Sequence, residues 1–191
     1  MTATYRVHIA AAVLSLLAVT GMTVRASSAA FSDATANAGN TFESGDVALS
    51  DDDGGNAMFA VTGVKPGESE TKCINVSYSG TLDGTVKMYG AVTAGDGLED
   101  YLNLTIERST GATGGATASC TGFVEAGKTT VWSGTDGDLA TFLTTKTDFA
   151  TGVDSQAVTG GAPVEVASYR ITAVLQDNNA AQGLSSTVTF T

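Results

Sequence analysis

Apolar residues recur at every second position in many short stretches of the chain, which is the pattern of a half-buried β-strand. In the stretch TKCINVSY, Ile74, Val76 and Tyr78 share one face of the predicted strand, while Asn75 and Ser77 lie on the other. About eight such stretches occur, separated by turn residues. The others are 47–49, 58–64, 85–92, 104–106, 129–133, 169–175 and 188–190. The pattern predicts an all-β protein, an antiparallel β-sandwich or barrel.

Two patches depart from this alternation and have helical spacing. They are GLEDYL at residues 97–102 and DLATFL at residues 138–143, in which apolar residues fall three and four positions apart. Between other segments the chain carries turn residues; Pro66-Gly67 suits a type II turn, because proline fixes φ and glycine accepts a positive φ. We therefore expect short helical turns within an antiparallel sandwich.

The N-terminal region differs because it is continuously apolar. The run from Ile9 to Val24 follows a polar start that carries Arg6, and small residues come after it. A helix of about 16 residues spans about 24 Å, which is short for a hydrocarbon core of about 30 Å. This favours a cleaved secretory signal peptide over residues 1–29, with an uncleaved membrane anchor as the alternative.

Small residues mark the expected cleavage site. Ser27 and Ala29 fit positions −3 and −1, so the cut would fall between Ala29 and Ala30; a cut after Ala30 is the near alternative. Loss of Arg6 and Arg25 with the signal, and of no acid, changes the formal charge from −11 to −13. So acidic a surface repels nucleic acid and anionic lipid, and neither is expected as a partner.

The two cysteines, Cys73 and Cys120, both lie in the mature part of the chain. After export, an even pair most simply forms one disulfide. It would close a loop of 47 residues, which stabilises the fold by about 4 kcal/mol on the chain-entropy model.

Motifs for catalysis are missing from the sequence. The only histidine is His8, inside the predicted signal peptide, which excludes an HExxH zinc site and histidine-based triads in the mature chain. No spacing singles out a pair of carboxylates, and no phosphate-binding loop occurs. We therefore expect a protein that is not an enzyme and needs no cofactor or metal.

Calcium binding at two acidic turns is an alternative. Asp51–Asp53, or Asp136 with Asp138, could supply oxygen ligands. Neither run continues into an EF-hand spacing, so polar turns between strands are the favoured interpretation.

Three other residues have both a structural and a functional interpretation. Asn75 and Asn103 begin sequences that match the N-glycosylation sequon, and both lie on predicted strands. Trp132, the lone tryptophan, is expected to pack in the core or on the sheet rather than to bind sugar.

The stretch AAFSDATANAGNTFESGDVALS, residues 29–50, resembles the start of the TasA/camelysin family of exported proteins, whose signals a SipW-type signal peptidase removes. Members carry Ala-Phe at the new N-terminus, here Ala30-Phe31, then a small polar segment and an aromatic-x-x-Gly, here Phe42 to Gly45. The similarity covers nearly the whole chain; it is strong over residues 27–80 and 168–184 and weaker in the loop-rich middle. The pair of cysteines resembles that of a high-GC Gram-positive branch of the family.

The resemblance implies a jelly-roll-like β-sandwich over residues 42–191 that polymerises into extracellular biofilm-matrix or pilus-like fibres. Subunits would join head to tail when the N-terminal segment of one, residues 30–41, adds as a donor strand to the sheet of the next. The residues expected to lead this donor strand are Ala30, Phe31, Ser32, Asp33, Ala34 and Thr35.

The sequence also allows other roles for this protein. The chain could be a monomeric secreted adhesin or an accessory protein that binds a related fibre. A secreted protease of the camelysin type is less favoured, because this chain departs from that activity by lacking the histidines. In each case the protein is expected outside the cell or at its surface, with no membrane contact after cleavage.

Overall fold

A computed structural model describes residues 44–56, 58–59, 64–114, 118–161 and 163–191. The predicted signal peptide and the predicted donor segment lie outside these residues. Within the described part the chain forms nine strands and one α-helix, α1, which spans Leu139–Thr145. The strands are β1 (Leu49–Asp51), β2 (Ser69–Tyr78), β3 (Gly84–Met88), β4 (Gly90–Gly95), β5 (Leu102–Thr110), β6 (Thr129–Trp132), β7 (Val153–Val158), β8 (Glu165–Leu175) and β9 (Ser186–Phe190).

The strands form one large sheet and two smaller ladders, all antiparallel. The large sheet has the order β1-β2-β8-β5-β6, and the ladders are β3-β7 and β4-β9. Short 3-10 helices at Leu98–Tyr101 and Asn179–Ala181 lie between strands. This architecture confirms the predicted all-β antiparallel sandwich with short helical turns.

The predicted alternation holds through the three long central strands. Ile74 of β2 lies opposite Tyr169 of β8, and Ile106 of β5 lies opposite Ile171 of β8. Side chains directly opposite each other across a ladder point to the same face, so these residues form one apolar layer. Tyr169, Ile171 and Ile106 are at most 1% exposed.

The core fills the space between this apolar layer and helix α1. Trp132 packs edge-on against Phe142 of α1, with ring centroids 5.2 Å apart, and Phe142 in turn contacts Phe190 at 5.8 Å. Trp132 is therefore a core residue, as expected; its indole N–H donates to the Gly137 carbonyl at 3.2 Å. The buried cluster comprises Met88, Leu104, Ile106, Trp132, Leu139, Phe142, Leu143, Ala167, Tyr169 and Ile171.

The second helical patch folds as predicted because its ends and one face are specified locally. The Asp138 carboxylate accepts the Thr141 backbone N–H at 2.8 Å, which caps the N-terminus of α1. Leu139, Phe142 and Leu143 are buried, as their spacing of three and four positions requires.

Three features differ from the strand prediction. The expected strand 85–92 is two strands, β3 and β4, because the chain changes partner from β7 to β9 at Tyr89. Strand β7 was not predicted, since Val153–Val158 alternates only weakly. Of the expected strand 58–64, residues 60–63 lie outside the described part; Met58 and Phe59 are not in a strand and pack against the core.

Candidate functional site

The structure joins the two predicted disulfide cysteines. Cys73 of β2 and Cys120 are bonded, with Cα atoms 5.0 Å apart, which confirms the predicted disulfide. The other predicted site residues, the cleavage pair Ala29 and Ala30 and the donor residues 30–35, lie outside the described residues.

The disulfide fastens the connection between β5 and β6 to the outer face of the large sheet. The Cys73 backbone N–H donates to the Ala118 carbonyl at 3.1 Å, and the Gly111 N–H donates to the Val166 carbonyl at 2.9 Å. We call residues 111–114 and 118–128, the described part of this connection, the strap. The strap explains why Cys73, on the face away from the core, is only 2% exposed.

Under the strap lies a buried polar network centred on Asn75. The Asn75 side-chain N–H donates to Asp52 Oδ2 at 2.6 Å, while its Oδ1 accepts from Ser168 Oγ at 2.6 Å and from the Thr113 backbone N–H at 2.9 Å. Asn75 is 9% exposed and Ser168 is 1% exposed. In the folded protein the Asn75 amide is thus fully engaged, whereas Asn103, at the other sequon, is exposed.

Beside this network, four charged side chains tie the strap to the sheet. Glu107 contacts Arg170 Nη2 at 2.6 Å and Lys128 Nζ at 2.7 Å, and Glu125 of the strap pairs with both cations. Hydrogen bonds from Arg170 and then Lys128 lower the pKa of Glu125 to about 2. Burial works to raise the pKa of Glu107, but the same two partners outweigh it and hold that pKa below its ordinary value. Phe123 lies with its ring centroid 4.3 Å from the Arg170 guanidinium carbon, a cation–π contact.

A second polar cluster lies inside the sandwich, where β5 and β8 meet β7. Arg108 and Asp154 form an ion pair at 2.7 Å, with side chains 18% and 6% exposed. The Tyr169 hydroxyl donates to Asp154 at 2.7 Å, and burial together with this hydrogen bond raises the pKa of Tyr169. Charges buried this deeply have to be paired, and here the Asp154 carboxylate has one cation and one hydroxyl as its partners. The cluster therefore holds β7 to the large sheet.

The acidic turns serve as local caps. Asp136 accepts the Ser133 backbone N–H at 2.8 Å, Asp138 caps α1, and Asp53 accepts the Gly55 N–H at 2.6 Å. Burial, followed by the nearby charge of Asp53, raises the pKa of Asp51. Within the described residues no group of three or more His, Cys, Asp or Glu side chains is placed to hold a metal ion.

The smaller ladders offer unshared strand edges. In the part of the chain that the structure describes, β7 pairs with β3 alone and β9 pairs with β4 alone. Most of β4 is exposed after Gly90. Such edges carry main-chain N–H and C=O groups to which another strand can add.

None of the helices in the described ranges combines the length and the apolar character needed to cross a membrane.

Comparison with models of protein families gives a match. A family model described as camelysin metallo-endopeptidase matches residues 4–100, about half of the chain. A comparison of the chain with curated proteins found no match. The metal that this description implies does not fit the donors present, because the only histidine is His8 and both cysteines are joined in the disulfide.

Proposed function

The chain belongs to the camelysin metallo-endopeptidase family, and we propose that its role in this family is structural. It is a secreted subunit that polymerises into extracellular fibres. Residues 30–41 of one subunit add as a donor strand to the sheet of the next. The observation that carries the proposal is the extent of the family match: residues 4–100 include nearly all of the predicted signal peptide, the predicted donor segment and the first strands of the sandwich.

The composition of the donor segment supports this role. Residues 30–41 consist mainly of Ala, Ser, Thr, Asn and Gly, and Phe31 is their only large apolar side chain. Such a segment buries too little apolar surface to offset the entropy of ordering on its own. It can still donate and accept main-chain hydrogen bonds along the edge of another subunit, with Phe31 as the anchor.

The sheet edges supply a site for that segment. Strands β7 and β9 each have one described partner, so their second edges have the hydrogen-bonding groups that an added strand needs. A contact between the N-terminal segment of one copy and the edge of another is head to tail. It does not close, and repetition of it gives a filament.

We propose that the protein has no protease activity, and that the signal peptide is removed by a SipW-type peptidase before assembly. The absence of any histidine after His8 supports the first point, since an HExxH zinc site needs two. A casein digestion by the mature protein that a chelator abolishes would overturn it.

Deletion of the donor segment tests the assembly. The mature protein from Ala30 should form filaments visible by electron microscopy, whereas the chain that lacks residues 30–40 should stay a monomer with an unchanged β-type circular dichroism spectrum. An excess of the free 30–40 peptide should shorten the filaments, because it occupies the growing edge.

Two substitutions sharpen the result. Phe31→Asp should impair assembly, because burial of a phenylalanine is worth about 1.5–3 kcal/mol at each contact. Ser32→Asp adds the same charge one position away and should impair assembly less. Normal filaments from the truncated chain would refute the donor-strand mechanism, and monodisperse full-length protein would favour the accessory role.

A further inference from the structure

Exposed large apolar side chains concentrate at one end of the sandwich. Seven such side chains occur among the described residues, and four of them are Val47 (65% exposed), Leu49 (51%), Leu82 (46%) and Val164 (58%). They come from three segments that are far apart in sequence. We call the surface formed by these four residues the apolar end.

Main-chain contacts bring the three segments together. The Asp46 carbonyl accepts from the backbone N–H groups of Thr81 at 3.0 Å and Leu82 at 3.3 Å. The Gly161 N–H donates to the Gly80 carbonyl at 3.1 Å. The apolar end is thus a fixed feature of the fold and not a set of unrelated loop residues.

The register of the large sheet places Leu49 and Val164 at the same end of that sheet. Leu49 lies opposite Tyr78, and Tyr78 lies opposite Glu165, the residue after Val164. Leu49 therefore points to the same face as the buried Tyr78, yet it is half exposed, since it lies at the edge of the sheet.

The two acids of these segments, Asp46 and Asp83, are exposed but accept hydrogen bonds within the chain. Lysine and arginine are missing from segments 44–49, 79–83 and 159–164. The Asp46 carboxylate accepts from the Thr81 hydroxyl at 2.8 Å, and this hydrogen bond lowers the pKa of Asp46. The Asp83 carboxylate accepts the Gly160 N–H at 2.8 Å. The exposed apolar side chains of this end have the character of the central part of a protein–protein interface.

We propose that the apolar end packs against a second copy of this chain in the fibre, namely the copy that receives the donor segment. This inference rests on the proposed function. The predicted donor segment joins the described structure at Ser44, only three residues before Val47 in the chain. The receiving copy is therefore brought to this end of the molecule.

The apolar end supplements the donor strand and does not replace it. A stable interface buries about 800 Å² on each partner, which is more than four half-exposed side chains supply. The chain without residues 30–40 should accordingly remain monomeric although its apolar end is intact.

A charge placed in this surface tests the proposal. Val164→Asp should raise the critical concentration for filament formation about tenfold or more over that of the matched variant Val124→Asp. Both valines are exposed loop residues, at 58% and 46%, and both variants add one negative charge to the whole subunit. Circular dichroism of each variant should match that of the parent protein.

A second measurement does not depend on a destabilising substitution. A photo-crosslinking amino acid in place of Val47 should yield covalent dimers in filaments and none in the chain that lacks residues 30–40. Equal critical concentrations for the two aspartate variants, or no crosslinked dimers in filaments, would overturn the apolar end as an interface while the fibre function stands. A parent protein that forms no filaments would instead refute the proposed function.

Discussion

At the scale of the residue, Asn75 shows what a sheet face covered by a strap requires. The strap removes this face of β2 from water, so each polar group beneath it needs a partner in the protein. Asp52, Thr113 and Ser168 supply partners for both ends of the Asn75 amide. An aliphatic side chain at residue 75 would remove all of these hydrogen bonds, although Ser168 would keep its bond to the Gly111 carbonyl.

We therefore expect Asn75→Ala to lower the free energy of unfolding by about 1–3 kcal/mol, because the variant loses several hydrogen bonds beneath the strap, one of them to a carboxylate. Urea denaturation measures this loss. Asn103→Ala is the matched control, because Asn103 is also a sequon asparagine on a strand but is exposed; its effect should stay within about 0.5 kcal/mol. Equal losses for the two variants would contradict the role of the buried network.

At the scale of the element, the strap holds to the sheet by one covalent link and by ion pairs. The disulfide joins it to β2, and Glu125 reaches Arg170 of β8. Because the pKa of Glu125 is about 2 in the folded protein, below its ordinary 4.5, its carboxylate favours folding when it is ionised. That contribution is complete above pH 4.5 and is lost as the pH falls from 4.5 towards 2.

Acid titration tests this tether. Glu125→Gln should lower the melting temperature at pH 7, and the variant should lose less stability than the parent protein between pH 4.5 and 2. The effect is small, because the Glu125 side chain is 60% exposed. Glu68→Gln is the control, since Glu68 is also exposed and its carboxylate has only one cation nearby among the described residues, the Lys65 ammonium at 3.9 Å. The Lys65 backbone N–H, which donates to Glu68 at 2.9 Å, can donate to a glutamine as well. Identical acid profiles for the parent and Glu125→Gln would contradict the tether.

At the scale of the whole molecule, the proposed assembly requires a released N-terminus. If Ser27 and Ala29 position the peptidase, N-terminal sequencing of the secreted protein should begin Ala30-Phe31-Ser32. Ala29→Leu should trap the precursor, because a bulky residue does not suit position −1 of the cut. Mass spectrometry distinguishes the two forms.

Ala26→Leu is the matched control for processing, because it makes the same change outside positions −3 and −1. It should leave cleavage intact. A secreted protein that retains residues 9–24 would contradict the free N-terminus on which the donor strand depends.

Local patterns in the sequence determined much of the fold. Alternation places Ile74, Val76 and Tyr78 on one face because the strand period is two, whichever strand pairs with it. The three- and four-residue spacing in α1 and its cap at Asp138 are equally local. The disulfide followed from an even number of cysteines in a chain that is predicted to be exported. The family resemblance also follows from short stretches of sequence, and the match over residues 4–100 confirms it.

Tertiary structure alone decided the features that depend on distant partners. Val153–Val158 is a strand because it pairs with β3, and its own residues alternate too weakly to specify it. Asn75 is buried because the strap folds over it. The segments that carry Val47, Leu82 and Val164 meet only because main-chain hydrogen bonds join parts of the chain that are far apart in sequence. Sequence periodicity reports which way a side chain points relative to its own strand, whereas burial and neighbourhood depend on which other segment arrives there.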